Sequence, residues 1–288
     1  MSTPHGRAHA SLASDGQRYV ACWDTAGSPP TTPPGFRAVC VAVPVGGGAV
    51  TPLLSESGSG PTVAAGSQGM AVAYRPASGA IIVRYLDPDS GVAPRELPVT
   101  EPEMVFQDAP RALLAATAGG FAVVTPAASH FHRLDHGLEV IAGPVDLDPS
   151  IDFDWGGRPV IAALGDVVAV SVRLAYGNHL YVVDEHDQVK PTIRYSGGGK
   201  LGTDIALVAE ATTFGAFWRR HLEGGASLLH ESFEPAAPPV HTFEALDADP
   251  WSQGSSHPAC ALAVAALPGG ASLVVHPTAT GVAARRLE

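Results

Sequence analysis

The sequence predicts an all-β fold built from a repeated four-stranded unit. Three observations carry this reading. One segment recurs six times at near-even spacing. Short alternating apolar runs lie between Gly, Pro and Asp turns. No apolar stripe follows the 3.6-residue period of a helix.

The recurring segment is a Pro or small residue, a short apolar run, a Gly-containing turn and a second apolar run. It reads HASLASDGQRYVACW from His9, GPTVAAGSQGMAVAY from Gly60 and APRALLAATAGGFAVV from Ala109. It returns as RPVIAALGDVVAVSV from Arg158, TDIALVAEATTFGAFW from Thr203 and HPACALAVAALPGGASLVV from His257. The second positions are Ala10, Pro61, Pro110, Pro159, Asp204 and Pro258, separated by 51, 49, 49, 45 and 54 residues. Six units in 288 residues average 48 each.

Innermost strands are expected at Ala10–Leu12, Thr62–Ala64, Arg111–Leu113, Val160–Ala162, Ile205–Leu207 and Ala259–Ala261. The ALLAATA run is helix-compatible alone, but its repeat partners PTVAAG and PVIAAL make it a strand. Each unit then adds two alternating runs. In the second they are AIIVRYL from Ala80 and ELPV from Glu96, around the turn DPDSG. In the fourth they are HLYVVD from His179 and VKPTIRY from Val189. β-Branched and aromatic residues fit such half-buried pleated runs. The sixth unit shows runs near 258–264, 270–276 and 281–287. Its sheet is therefore three-stranded, or completed by a very short strand from the residues before His9.

Four short strands at a period near 48 resemble a β-propeller blade, and the chain resembles a single six-bladed β-propeller domain over residues 1–288. No WD dipeptide recurs from unit to unit (Trp23–Asp24 is the one copy), and the kelch double-glycine pattern and the Ser-x-Asp-x-Gly-x-x-Trp box are missing, so the resemblance is to an architecture. A pair of β-sandwiches is the alternative, and six copies divide poorly into two.

Composition narrows the function. With 17 basic and 28 acidic residues the net charge is −11, which argues against nucleic-acid and anionic membrane partners. The 32 Gly and 26 Pro suit a turn-rich chain, and 45% hydrophobic residues argue against disorder. There is no apolar run of membrane-spanning length and no secretion-signal pattern at the start. Cys22, Cys40 and Cys260 form no framework, and each sits in an apolar context where an inert buried thiol is expected. A reducing cytoplasm fits these features. The Ala, Gly, Pro and Arg content, against two lysines, suggests a bacterial source, where a biosynthetic role is one setting.

The resemblance implies that the first residues of the units ring a channel mouth, with His9 and His257 side by side after closure. Arg158 and Asp108 would lie across that mouth, with Trp155 and Trp251 on its rim. Two imidazoles can hold a divalent metal or act as base and acid, and no cofactor is required by the sequence. An arginine fork can fix a carboxylate or phosphate. The acidic linkers VDLDPSIDFDWGG and LDADPWSQGSS match no EF-hand loop and favour a weakly charged or zwitterionic ligand. The HFHRLDH run (His130, His132, His136) looks like a zinc pattern but is placed on the solvated outer part of the third unit. The remaining histidines, His179 among them, read as surface or turn residues. The Pro-rich loop at 24–35 is a candidate lid beside His9 and His257. No nucleophile elbow, zincin helix or phosphate loop is present.

Three function classes follow. The first is binding of a small molecule or short peptide at the mouth. The second is a lyase, hydrolase or cyclase using axial histidines, with or without a metal. The third is a protein-interaction scaffold. Aromatic and acidic residues in two linkers rather than six favour a single ligand pocket.

Overall fold

A computed structural model describes residues 10–26, 36–76, 79–99, 112–125, 130–147, 160–174, 177–195, 201–222, 225–235, 244–249, 263–266, 272–278 and 281–287. These residues form six antiparallel sheets, five of four strands and one of three, each a meander in chain order. Sheet one holds β1 (Ala10–Ser14), β2 (Arg18–Ala26), β3 (Phe36–Pro44) and β4 (Thr51–Ser57). Sheet two holds β5 (Ser59–Gly66), β6 (Gly69–Arg75), β7 (Ile81–Tyr85) and β8 (Arg95–Leu97). Sheet three holds β9 (Leu113–Ala116), β10 (Gly120–Thr125), β11 (His130–Asp135) and β12 (Val140–Asp146). Sheet four holds β13 (Val160–Leu164), β14 (Val167–Leu174), β15 (Gly177–Val183) and β16 (Val189–Tyr195). Sheet five holds β17 (Leu201–Ala209), β18 (Phe214–Leu222), β19 (Gly225–Phe233) and β20 (Glu244–Asp249). Sheet six holds β21 (Ala263–Ala266), β22 (Ser272–Thr278) and β23 (Gly281–Leu287).

The chain divides into two compact units, residues 1–149 with sheets one to three and residues 150–288 with sheets four to six. In the first unit β5 packs against β1 and β9. In the second, β17 packs against β13 and β21. First strands therefore meet first strands, and the cores lie between successive sheets. Val20, Cys22, Ala38, Cys40, Met70, Val72 and Tyr74 fill the space between sheets one and two. Ala71, Ala73, Val83, Tyr85, Leu114, Phe121, Val123 and Leu134 fill the space between sheets two and three. In the second unit, Ala169, Leu180, Leu207, Phe214 and Phe233 pack between sheets four and five, and Val208, Phe217 and Val274 between five and six. In β6 alternate residues enter the two different cores, so Met70 to Tyr74 is an unbroken buried run. That double burial explains a hydrophobic content too high for a one-sided sheet.

Turn chemistry repeats with the sheets. Between β11 and β12, Asp135 accepts from the Glu139 amide (2.8 Å) while Leu138 turns left-handed at φ 62°. Between β15 and β16, Asp184 accepts from the Gln188 amide (3.0 Å) while Asp187 turns at φ 62°. A carboxylate that accepts from a later amide of its own turn stands in for a backbone turn bond.

The expected inner strands fall within β1, β5, β13 and β17, and Leu113 opens β9. Arg111 and Ala259–Ala261 lie outside the described residues. Sheet six has three strands among the described residues, and the residues before His9 are outside them. One expectation is corrected. Cys22 and Cys40 are not inert thiols: they face each other across β2 and β3 and form a disulfide. Cysteine usage therefore gives no argument for a reducing compartment. No helix of the described residues is long and apolar enough to cross a membrane.

Candidate functional site

A meander gives each sheet two edges. The turns joining first to second and third to fourth strands lie at one, the hairpin edge. At the other, the linker edge, lie the second-to-third loops and the linkers to the next sheet. All six sequence-predicted site residues (His9, Asp108, Trp155, Arg158, Trp251 and His257) lie outside the described residues. So do most of the lid candidate, residues 27–35, and Cys260. The flanking acids are partly described. Asp146 ends β12, and Asp247 and Asp249 stand on strand β20 rather than in a loop.

The chemistry visible at the linker edge gathers where sheet one meets sheet two. Asp24, Ala38 and Glu56 are direct cross-strand partners on β2, β3 and β4, so they share one face. Ala38 is fully buried in the core with sheet two, which fixes that face as the one turned toward the neighbouring sheet. Both carboxylates reach across. Asp24 accepts from the Gly60 amide at 2.7 Å. Glu56 accepts from the Tyr74 hydroxyl and pairs with Arg84 at 2.5 Å. Gly58 permits this approach: a Cβ there would stand 2.9 Å from both the Arg75 carbonyl and the Tyr74 ring, and its φ is +156°. Gly60, left-handed at φ 62°, lies at the register slip of β5 between Ser59 and Thr62.

The two carboxylates differ in chemistry. Glu56 has its proton donor and its cation. Asp24 has one amide and no ion pair among the described residues. Burial pushes the Asp24 carboxyl up to about 6, against the pull of the Gly60 amide. A carboxyl poised there can exchange a proton near neutrality or meet a cationic or hydroxyl group of a ligand. For Tyr74, burial first and the Glu56 carboxylate second push the phenol up to about 12, so it stays protonated and donates to Glu56. The inner strands are clipped nearby: Ser11 accepts from the Val63 amide (3.1 Å), and the Thr62 hydroxyl donates to the Ala112 carbonyl (2.7 Å).

Sequence reasoning placed Asp24 at the start of a loop, whereas β2 runs on to Ala26. The loop as read, 24–35, is centred between Pro29 and Pro30, whereas the paired Cys22 and Cys40 are centred on Thr31, so the loop's composition alone did not mark how far the strands run.

The histidines also depart from expectation. His130, His132 and His136 occupy the third strand and the turn after it, as read. His132 is buried rather than solvated, and His179 is buried on β15 rather than at a surface. Phe131 and Phe121, close to His132 in the register, are fully buried and draw this part of the strand into the core. His130 pairs with Asp146 at 2.8 Å. No group of three metal-binding side chains occurs among the described residues. At the hairpin edge of sheet five, Glu210 accepts from the Thr213 hydroxyl (2.8 Å) and lies 3.6 Å from His230, which stacks on Phe217. The Ser232 hydroxyl lies 3.2 Å from Glu210 and 3.4 Å from the same His230 nitrogen, Nε2, that faces Glu210. Hydroxyl and carboxylate thus share one nitrogen, which is not the relay of a hydrolytic triad.

No protein family and no curated protein matches the sequence. Solved structures do match. A subtype N11 neuraminidase-like protein of the isolate A/flat-faced bat/Peru (H18N11) aligns with a TM-score of 0.51 and 8% identity, over 99% of this chain and 90% of its own. TolB from Acinetobacter baumannii aligns at 0.50 and 11% identity, over 94% of this chain and 61% of its own. The WD40 domain of SCAP from fission yeast aligns at 0.50 and 9% identity, over 99% and 74%. At such identities the likeness is one of fold alone. Six antiparallel meanders, inner strands packed on inner strands and these neighbours together make the chain a β-propeller protein.

Proposed function

We propose that the linker edge of the sheets binds a small molecule or a short peptide, and that Asp24 is the group that meets it. The observation that carries this reading is the state of Asp24: a half-buried carboxyl, bonded to one amide, without a cation among the described residues, and titrating near 6. An amide side chain would keep the bond to Gly60 without placing a charge there. A carboxyl that costs stability where an amide would not is the kind of local inconsistency that functional sites carry. His9, Asp108, Trp155, Arg158, Trp251 and His257 are proposed as further contributors, because the repeat puts each at the linker edge of its own unit. A weakly charged or zwitterionic ligand suits the acidic surroundings.

The same titration supports a second reading, an enzyme in which Asp24 transfers a proton. Turnover of the ligand by the wild type, lost in Asp24→Asn without loss of binding, distinguishes it from binding alone.

The test is Asp24→Asn. The folded carboxyl titrates above its unfolded value, so its ionisation removes stability as pH rises from about 4 through 6. The variant is expected to be more stable than the wild type at pH 8 by about 1 kcal/mol, allowing for partial exposure, and equal to it at pH 4. In thermal-shift titrations with dipeptides and zwitterionic amino acids, the wild type responds and the variant does not. A variant less stable at pH 8, or one that responds like the wild type and turns the ligand over no differently from it, removes Asp24 from the site.

A further inference from the structure

The joint between sheets two and three contains a buried histidine that neither the fold nor the proposed site uses. His132 lies directly opposite Val123, a member of the core between these sheets, and so faces into that core. It is 4% exposed, and its Nε2 has no hydrogen-bond partner. Strand β12 slips its register opposite it, between the partners of Phe131 and Arg133, with Gly143 at the slip. A Cβ at Gly143 would stand 2.6 Å from the Phe131 carbonyl and 3.2 Å from His132 Nδ1, so backbone closes over the imidazole. Such a group is at ease only when neutral.

We propose that this joint is an acid-sensitive device: protonation of His132 loosens β11 and β12 from sheet two. The surrounding ionisable groups do not offset the new charge. His130, on the same strand face, brings a second imidazole, and its carboxylate partner Asp146 is already engaged. Arg133 lies over the Phe131 ring on the opposite face and adds positive charge. Asp135 bonds the amide of Glu139 in its own turn, and Glu139 pairs with Arg95 of β8 at 2.9 Å. His136 follows in that turn, and its carbonyl accepts from the Tyr85 hydroxyl of β7 at 3.0 Å. Burial, with His130 beside it, holds His132 well below the usual imidazole range, at about 4. A depressed imidazole leaves stability untouched above about 6.5, the ordinary histidine value, and removes it as pH falls toward 4.

The experiment compares thermal unfolding of the full chain from pH 7.5 to 4.5 for wild type, His132→Phe, His132→Gln and His130→Gln. Hydrogen exchange at pH 7 and pH 5 is followed in parallel, corrected for intrinsic rates. The wild-type and His130→Gln melting points are expected to fall steeply below pH 6.5. His132→Phe and His132→Gln are expected to show a shallower fall, and either one suffices if the other does not fold. Wild-type exchange is expected to rise in residues 130–146 and to stay level in residues 18–44. Equal slopes in wild type and both His132 variants overturn the proposal. So does a slope removed by His130→Gln instead, or a rise in exchange spread evenly over the chain.

Discussion

Gly120→Ala lowers the stability of the protein by about 3 kcal/mol, the sum of backbone strain and forced repacking. Gly120 opens β10 at φ +150°, a conformation that side-chain-bearing residues rarely adopt. A Cβ there would lie 2.2 Å from the Leu134 carbonyl and 2.6 Å from the Asp135 carbonyl carbon, both backbone atoms of the paired strand. Neither can rotate away, so β10 and β11 must separate at the edge of the core holding Phe121 and Leu134. Gly69 opens β6 in the same way at φ +130°, yet a Cβ there meets nothing closer than the Tyr85 ring at 3.7 Å. Gly69→Ala is therefore the smaller loss. Urea denaturation of both variants measures the difference, and a Gly120→Ala loss below about 1 kcal/mol contradicts the strain account.

Phe214→Ala costs about 3 to 5 kcal/mol, the range for emptying a buried aromatic site. Phe214 is fully buried at the start of β18 and stacks on Phe233 of β19 with ring centroids 5.4 Å apart. The core it belongs to also holds Leu180, Val182 and Leu207, whose strands are fixed by backbone pairing and cannot close the gap. Phe214→Leu refills most of the volume and is expected to recover more than half of the loss. Denaturant midpoints of the two variants give the comparison. Equal losses would show that sheets four and five do not pack through this ring.

What the sequence revealed, it revealed through local chemistry. VKPTIRY from Val189 is β16 to the residue, because alternation and the turn before it fix both ends. The run from Gly281 is likewise β23. DPDSG is a turn, closed by Asp87 capping the 3-10 segment Pro88–Ser90 and left-handed Gly91. Periodicity failed where partners decide the outcome. Strand β17 begins at Leu201, before its repeat segment, and reaches β18 through a register slip between Leu201 and Ile205. The Cys22–Cys40 disulfide depends on cross-strand register, which neither strand encodes alone. Asp24 and His132 owe their states to a neighbouring sheet. HFHRLDH looked solvated because it is polar, and no pattern in it announces a Phe-lined core on one side and a bulge on the other. The six site residues that the repeat suggests lie outside the described residues. The acid that stands at the linker edge within them, Asp24, was not legible in the sequence.

The measurement that bears most directly on this account is a crystal structure of the protein soaked with a mixture of dipeptides and zwitterionic amino acids. The account predicts density at the linker edge of sheets one and two, with a polar atom of the bound molecule within hydrogen-bond distance (about 3 Å) of the Asp24 carboxyl. Density confined to the hairpin edge, with Asp24 contacting only Gly60 and water, would contradict it.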